Sequence, residues 1–158
     1  MKWDDIQELP CSVARALSIV GDRWTLLILR DCFIGTKRFD HFQKHIGVSR
    51  HRLSERLNKL VENEILKKVE YQNNPPRYEY KLTRKGVSLY PVLMTLAKWG
   101  DEWMSGEEGV PLEYVHKTCG HKMQMNLCCS ECGELVDPKQ VMPQIGPGLC
   151  NFKGVGKK

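Results

Sequence analysis

The stretch from Phe39 to Val61 constrains the fold most strongly, because it holds two helical patterns separated by a tight turn. The apolar residues of the first pattern are Phe39, Phe42 and Ile46. Gly47 ends this pattern, and Ser49 is a suitable N-cap for a second helix. The apolar stripe of the second helix consists of Leu53, Leu57, Leu60 and Val61. Two short amphipathic helices joined at Gly47-Val48 predict a helix-turn-helix pair.

Basic side chains crowd the faces of the second helix that its apolar stripe leaves free. They are Arg50, His51, Arg52, Arg56 and Lys59, preceded by the polar Ser49. A DNA-recognition helix needs one face to fix it on the domain and another to reach base edges and phosphates. We therefore predict a recognition helix over residues 49–63 in the major groove, with contacts concentrated in its N-terminal turn. An arginine there can bond a guanine edge in a bidentate way, worth about 1–3 kcal/mol of base discrimination.

The hydrophobic period changes from helical to alternating after this helix. Leu66–Tyr71 and Tyr78–Leu82 predict two strands, the second with Tyr78, Tyr80 and Leu82 facing inward. Asn and Pro mark the connection as a loop, so residues 71–78 form a predicted wing on the DNA backbone or minor groove. The candidate contacts of the wing are Asn73, Asn74 and Arg77. Candidate phosphate contacts just before the helix pair are Lys37 and Arg38.

Further helices flank this unit on both sides. The apolar residues within 13–20 have helical spacing, and Ser12 is a candidate cap for that helix. Asp22 is suited to cap a second helix, in which we expect Trp24, Leu27 and Ile28 to face inward. Thr83 caps a long apolar helix that runs toward Met104. Pro91 lies within that helix and is expected to kink it or split it in two.

The charge distribution supports a nucleic-acid interface in the middle of the chain. The formal net charge is +5, but residues 33–85 carry +7 and residues 86–114 carry −4. Most runs of charged residues form solvated faces, and for any single arginine here a solvated face is an alternative to a DNA contact. Taken together, however, these residues favour DNA binding, because basic charge, helix-turn-helix spacing and a wing all fall in one stretch of the chain.

Several sequence blocks together resemble a known family. They are C-S-V-A-R-A-L-S-I-V-G-D-R-W-T-L-L-I-L-R-D, R-F-D-H-F-Q, G-V-S-R-H-R-L-S-E-R-L-N-K-L and Y-E-Y-K-L-T-R-K-G. From about Cys11 to Trp103 the chain resembles the HxlR-type bacterial transcriptional regulators. The resemblance implies a winged-helix DNA-binding domain, a homodimer formed by the first helix and the Leu89–Trp103 helix, and control of nearby genes as repressor or activator. We expect no enzymatic activity.

A second pattern lies in the C-terminal part, where four of the seven cysteines fall within fourteen residues. His116-Lys-Thr-Cys119-Gly120 and Cys129-Ser-Glu-Cys132-Gly133 share the form ligand-x-x-Cys-Gly. In a zinc knuckle two ligands point at one ion from a tight turn, and the glycine gives the backbone freedom that the turn needs. His116, Cys119, Cys129 and Cys132 are therefore the predicted ligands of one structural zinc ion per chain.

The same cysteines allow other interpretations. One is a metal-free β-hairpin with reduced thiols, or a Cys129–Cys132 disulfide formed on oxidation. Another is a thiol oxidoreductase or metal-trafficking protein that uses Cys129-x-x-Cys132, but redox C-x-x-C motifs normally lie near a βαβ pattern.

Cys11 is a candidate redox sensor. A helix N-terminus favours the thiolate, and Arg15 lies one turn further on. Several regulators of the resembling family sense oxidants or electrophiles through a Cys at the matching position. The alternative is a small buried residue at a helix start near the dimer interface. His41 and His45 have a spacing that suits a metal, but a solvated helix face is the favoured interpretation.

The predicted fold is therefore mainly α with a small β wing: a winged helix-turn-helix followed by a C-terminal zinc-ribbon-like β module. The predicted limits are 1–106 for DNA binding and dimerisation, 107–150 for the module and 151–158 for a flexible tail. No signal peptide or apolar run near the roughly 20 residues of a membrane span is present, so a cytoplasmic protein without membrane contact is expected.

Overall fold

The computed structural model describes residues 3–150, which form two compact units. The first contains the described residues up to Ser88 and those from Ile145, and the second is Leu89–Gln144. This division groups the helix Tyr90–Met104 with the segment after it. The sequence-based limits of 1–106 and 107–150 stay a prediction, and the predicted tail 151–158 lies outside the described residues.

The first unit is helical with one β-hairpin. After a 3-10 turn at Trp3–Glu8, its helices are α1 (Ser12–Val20), α2 (Arg23–Phe33), α3 (Phe39–Ile46), α4 (Arg50–Glu62) and α5 (Arg84–Val87). Its strands are β1 (Leu66–Gln72) and β2 (Arg77–Leu82), and the short α7 (Pro147–Cys150) ends the described chain. The predicted order of helix pair and hairpin is confirmed.

Side-chain caps fix the ends of the central helices. The Asp22 carboxylate accepts hydrogen bonds from the backbone N–H of Trp24 at 3.0 Å and of Thr25 at 3.1 Å. Ser49 Oγ accepts from the backbone N–H of Arg52 at 3.4 Å. Both caps are as predicted, whereas Ser12 is the first residue of α1 and Cys11 occupies the N-cap. Gly47 has φ +71°, a left-handed conformation that glycine adopts without steric cost.

The core lies where α2, α3, α4 and β1 meet. Its fully buried apolar side chains are Ile28, Leu29, Phe42, Leu53, Leu57, Leu60 and Leu66. The predicted inward face of α2 was partly wrong, since Trp24 and Leu27 are half-buried while Thr25 and Asp31 are buried. Thr25 is buried because its hydroxyl bonds the Asp22 carboxylate, which satisfies the polar group and turns this face of α2 inward.

The hairpin is antiparallel and pairs Leu66 with Leu82 at its base and Glu70 with Tyr78 near its tip. Tyr80 is buried as predicted, but Tyr78 is exposed. Tyr78 is the second residue of β2, two residues nearer the tip than Tyr80, in a part of the hairpin where the neighbouring Arg77 is also exposed. The loop 73–76 therefore lies at an exposed end.

The predicted helix from Thr83 to Met104 is divided into α5 and α6 (Tyr90–Met104). Pro91 lies in the first turn of α6, where its missing N–H breaks no hydrogen bond of the helix. Thr83 caps α5 by accepting a hydrogen bond from the Gly86 N–H at 3.1 Å. Gly86 is buried, and a Cβ on it would lie 2.2 Å from the carbonyl oxygen of Ile65.

The second unit contains α6 and a small ribbon. Its strands β3 (Tyr114–Val115) and β4 (Lys122–Met123) pair antiparallel, and Cys128 forms a single bridge with Leu135. None of the fifteen residues of α6 is buried, although the helix is rich in apolar side chains. Within residues 3–150, no helix has both the length and the apolar character required to cross a membrane.

Gly86→Ala is expected to lower the free energy of unfolding by about 1–3 kcal/mol, because the new methyl group meets a backbone carbonyl that cannot move without displacing β1. The free energy of unfolding is measured by titration with guanidinium chloride, with circular dichroism as the signal. Gly100→Ala is the control, since nothing lies within 4 Å of a Cβ there. That change is expected to be neutral or slightly stabilising, and equal effects of the two substitutions would contradict the close approach.

Candidate DNA interface

Helix α4 is held in place by its leucine face and by a hydrogen bond and an ion pair to elements earlier in the chain. Lys59 Nζ donates a hydrogen bond to the carbonyl oxygen of Ser18, near the end of α1, at 2.7 Å. Arg56 Nε lies 3.5 Å from Asp22 Oδ1, the same carboxylate that caps α2. Both side chains are half-buried. Arg56 and Lys59, predicted as DNA contacts, are thus used within the protein.

The N-terminal turn of α4 is different, because Ser49, Arg50, His51 and Arg52 are all exposed. Arg50 lies over the ring of Phe39, with its guanidinium carbon 5.0 Å from the centroid. Its Nη1 is 3.3 Å from Gln43 Oε1 and 3.5 Å from Asp40 Oδ1 on α3. These exposed contacts are weak, so they orient the guanidinium without preventing its transfer to a phosphate or base edge.

The two neighbours of Arg50 along α4 are less constrained. His51 Nδ1 lies 3.5 Å from Glu55 Oε2, one helical turn on. The Arg52 side chain makes no hydrogen bond or ion pair within residues 3–150, and it is exposed. Arg52 is therefore available for an external acceptor.

Lys37 and Arg38 lie against the base of the wing. The Lys37 carbonyl accepts a hydrogen bond from the Tyr80 N–H at 2.8 Å, which joins the segment before α3 to β2. Arg38 Nε is 3.6 Å from Glu79 Oε1, and its guanidinium carbon is 4.7 Å from the centroid of the Tyr71 ring. The pKa of Glu79 is lowered, first by a hydrogen bond from Lys81 and then by the charges of Lys81, Lys37 and Arg38. A cluster of cations therefore surrounds one carboxylate here.

The predicted wing residues Asn73, Asn74 and Arg77 are exposed around the hairpin tip. Gln72 Nε2 donates a hydrogen bond to the Asn74 carbonyl at 3.2 Å, which orders the loop. Lys68, which is not among the predicted contacts, is an exposed basic residue of β1 whose Nζ lies 4.2 Å from the centroid of the Tyr78 ring. The sequence signal for it is its position in the predicted strand Leu66–Tyr71, just before the predicted wing 71–78.

The ribbon of the second unit contains two turns of matching backbone geometry. In the first, Gly120 N–H bonds the His116 carbonyl at 2.8 Å and His116 N–H bonds the His121 carbonyl at 2.9 Å. In the second, Gly133 N–H bonds the Cys129 carbonyl and Cys129 N–H bonds the Glu134 carbonyl, both at 2.9 Å. The φ angles of the two glycines are +72° and +75°. Each ligand-x-x-Cys-Gly segment therefore forms the same turn.

Each turn brings together the two potential ligands that it carries. His116 Nδ1 lies 3.3 Å from Cys119 Sγ. The pKa of Cys129 is lowered by hydrogen bonds from the backbone N–H groups of Cys132 and Glu131 and by the Cys132 thiol. The donor types and both turns suit zinc in pairs. The two pairs are not joined, because residues 3–150 contain no group of three or more His, Cys, Asp or Glu arranged for a metal ion.

The thiols of the first unit differ strongly in accessibility. Cys11 is exposed at the start of α1 in the single chain, and its burial near a dimer interface stays a prediction. Burial, followed by the charge of Asp31, raises the pKa of Cys32 to about 12, so this thiol is unreactive at neutral pH. Of the two histidines of α3, His45 places Nδ1 3.3 Å from the buried Asp31 carboxylate. His41 is exposed.

The helix pair, the exposed basic turn of α4 and the hairpin that follows define a winged helix-turn-helix protein. Comparison with known proteins identifies the family. The model of the HxlR-like helix-turn-helix family matches residues 19–108. An HTH-type transcriptional regulator of Mycobacterium tuberculosis is 44% identical over 138 residues, 87% of each chain. The chain belongs to the HxlR-like family and is a transcriptional regulator of the helix-turn-helix type.

Two solved structures extend this likeness. The crystal structure of the protein PA1607 matches with a TM-score of 0.77 and 29% identity, over 87% of this chain and 96% of that one. The redox regulator HypR in its reduced form matches with a TM-score of 0.55 and 27% identity, over 58% of this chain and 92% of that one. The curated relatives are regulators, in keeping with the expectation of a non-enzymatic protein.

Proposed function

We propose that the chain binds specific double-stranded DNA as a homodimer, with the N-terminal turn of α4 in the major groove. The observation that carries this proposal is the division of basic residues on α4. Arg56 and Lys59 hold the helix on its own domain, and the exposed side chains of Ser49, Arg50, His51 and Arg52 are left for the duplex. Lys37, Arg38 and the wing then contact phosphates or the minor groove on either side.

Exposed apolar side chains support a dimer. On α1 they are Val13 and Leu17, and on α6 they are Val92, Leu96, Trp99 and Trp103. Large apolar side chains are rarely left in water in such stripes unless another surface covers them. The family resemblance assigns dimerisation to these two helices. In a symmetric dimer the recognition helices would lie about 34–36 Å apart and contact successive major grooves.

The double substitution Arg50→Ala and Arg52→Ala is expected to weaken binding to the chain's own promoter region by about thirtyfold or more. The reason is that each guanidinium contributes about 1–3 kcal/mol at a base edge. Electrophoretic mobility shift at fixed salt measures the affinity, and circular dichroism confirms folding. Lys117→Ala with Lys139→Ala removes the same charge from exposed positions of the ribbon and is the control. Unchanged affinity of the arginine variant would contradict the assignment of α4.

We further propose that the regulator responds to oxidants through Cys11. Its exposed thiol at a helix N-terminus supports this role, as does the likeness to a redox regulator. Hydrogen peroxide would oxidise the thiol to a sulfenic acid and be reduced to water.

Cys11→Ser is expected to keep DNA affinity but to lose release by hydrogen peroxide, because Ser cannot be oxidised under these conditions. The measurement is a mobility shift before and after peroxide, with Cys150→Ser as the control for another exposed thiol. If Cys11→Ser and the natural chain are released at the same peroxide concentration, Cys11 is not the sensor.

We also propose that the ribbon is a zinc-ribbon-like module in which His116, Cys119, Cys129 and Cys132 hold one zinc ion. Support comes from the two turns of matching geometry, each of which holds its two predicted ligands close together. The His and Cys donors are also ligand types that zinc binds. Zinc would join the two turns and stabilise a ribbon with few buried side chains. Apparent zinc binding in small finger peptides contributes roughly 10–16 kcal/mol. The rival oxidoreductase is less supported, since Cys129-x-x-Cys132 lies in a turn of a β ribbon.

Reduced protein purified without chelator is expected to contain about one zinc per chain, as a four-ligand structural site requires. Atomic emission measures the metal content. Cys129→Ser with Cys132→Ser is expected to remove the zinc, and Cys128→Ser is the matched control from a neighbouring thiol outside the predicted set. Metal-free natural protein, or equal loss in the control, would contradict this site.

A further inference from the structure

The second unit contains a cavity that the proposed DNA interface and zinc site do not use. Its volume is about 570 Å³, and it lies between α6 and the segments 110–114 and 122–125. Small-molecule sites in proteins commonly have volumes of about 300–1,000 Å³. The cavity is therefore large enough for an organic ligand with two or three fused rings.

The floor of the cavity is apolar and adaptable. Met94 from α6 and Met123 and Met125 from the ribbon are half-buried in its wall, beside the half-buried Tyr114. Methionine side chains are unbranched and polarisable, so they adjust to flat ligands of different shape and make favourable contacts with aromatic rings. This wall favours an aromatic or otherwise apolar ligand.

The charges around the cavity are not balanced once internal partners are counted. Lys98 Nζ donates hydrogen bonds to the Met125 carbonyl at 3.0 Å and to Asn126 Oδ1 at 3.1 Å. Lys122 pairs with Glu113 at 2.8 Å. The carboxylates of Asp101 and Glu102 make no hydrogen bond or ion pair within the described part of the chain. Lys98 keeps its positive charge, because both of its acceptors are neutral, so the five charged side chains of the lining carry a net charge of −1. Asp101 and Glu102 are the two carboxylates of the lining that have no ion-pair partner in the described part of the chain.

We propose that this cavity binds an apolar organic cation, with its ring system against the methionines and its positive charge near Asp101 and Glu102. Tyr114 adds a hydroxyl group to the wall, and the pKa of this group is raised, first by burial and then by Tyr90 and Asp101. It stays protonated at neutral pH and so presents no negative charge of its own. The recognition chemistry is that of an aromatic amine or quaternary ammonium compound.

The cavity and the exposed apolar stripe occupy different faces of α6. Met94, Lys98 and Asp101 follow one another at spacings of four and three, and all line the cavity. The stripe of Val92, Leu96, Trp99 and Trp103 has the same spacing but is rotated by about 160° around the helix axis. A ligand can therefore contact α6 without competing for the surface that the proposed dimer uses.

This arrangement makes the cation a candidate effector, a role that rests on the proposed function. The ligand would contact the helix that carries the proposed dimer stripe, so its binding energy can favour one position of that helix over another. The binding site itself does not depend on DNA binding, and the two are tested separately.

The test titrates the 158-residue chain into rhodamine 6G, an aromatic cation, and into fluorescein, an anion of similar size, and follows fluorescence anisotropy without DNA. We expect saturable binding of rhodamine 6G and at least about tenfold weaker binding of fluorescein. Asp101→Asn with Glu102→Gln is expected to weaken rhodamine binding by about tenfold or more. Glu107→Gln with Glu108→Gln removes the same charge outside the cavity and is expected to change nothing.

No saturable rhodamine binding, equal binding of cation and anion, or unchanged affinity in the Asp101 and Glu102 variant would overturn the site. Both variants keep side-chain size at positions that are not buried, and unchanged circular dichroism verifies their fold. A mobility shift with the promoter fragment at saturating rhodamine 6G then tests the effector role. A changed DNA affinity supports that role, and an unchanged affinity overturns it whatever the outcome for the site.

Discussion

The burial of three leucines on one face of α4 is the interaction on which the rest of the structure depends. Leu53, Leu57 and Leu60 are completely buried where α4 meets α2, α3 and β1. Burying a leucine side chain contributes about 1.5–3 kcal/mol, so this face holds α4 firmly. Since a helix is rigid, fixing one face also fixes the direction of the opposite face, and the exposed turn from Ser49 to Arg52 follows from that.

Polar side-chain interactions add to the leucine packing that fixes the position of α4. Asp22 caps α2 and also lies beside Arg56. Lys59 donates a hydrogen bond to the Ser18 carbonyl near the end of α1. The exposed first turn of α4 thereby differs from its later turns, whose basic side chains contact the protein itself. In the second unit Lys122 pairs with Glu113, and Lys98 donates hydrogen bonds to two neutral oxygens. Asp101 and Glu102 are then the carboxylates of the cavity that have no ion-pair partner among the described residues.

Much of this architecture could be predicted from the sequence because its signals are local. The caps Asp22 and Ser49, the left-handed Gly47 and the leucine spacing of α4 act over a few residues, and each was confirmed. Pro91 was expected to kink or split a helix, and the structure shows that it begins α6. The inward position of Tyr78 and the buried face of α2 were wrong, because burial there depends on which distant elements cover a strand or helix.

Local sequence patterns were enough to predict the helix-turn-helix, the wing, the basic middle of the chain and the two knuckle segments. Which basic residues of α4 are free depends on contacts that form only in the folded chain. Helical periodicity shows that Arg52 and Lys59 both lie outside the apolar stripe of α4, but it cannot show that Ser18, 41 residues earlier, offers its carbonyl to Lys59. The cavity beside α6 likewise has no signature in the sequence. Its wall is assembled from side chains that meet only when the ribbon packs against the helix.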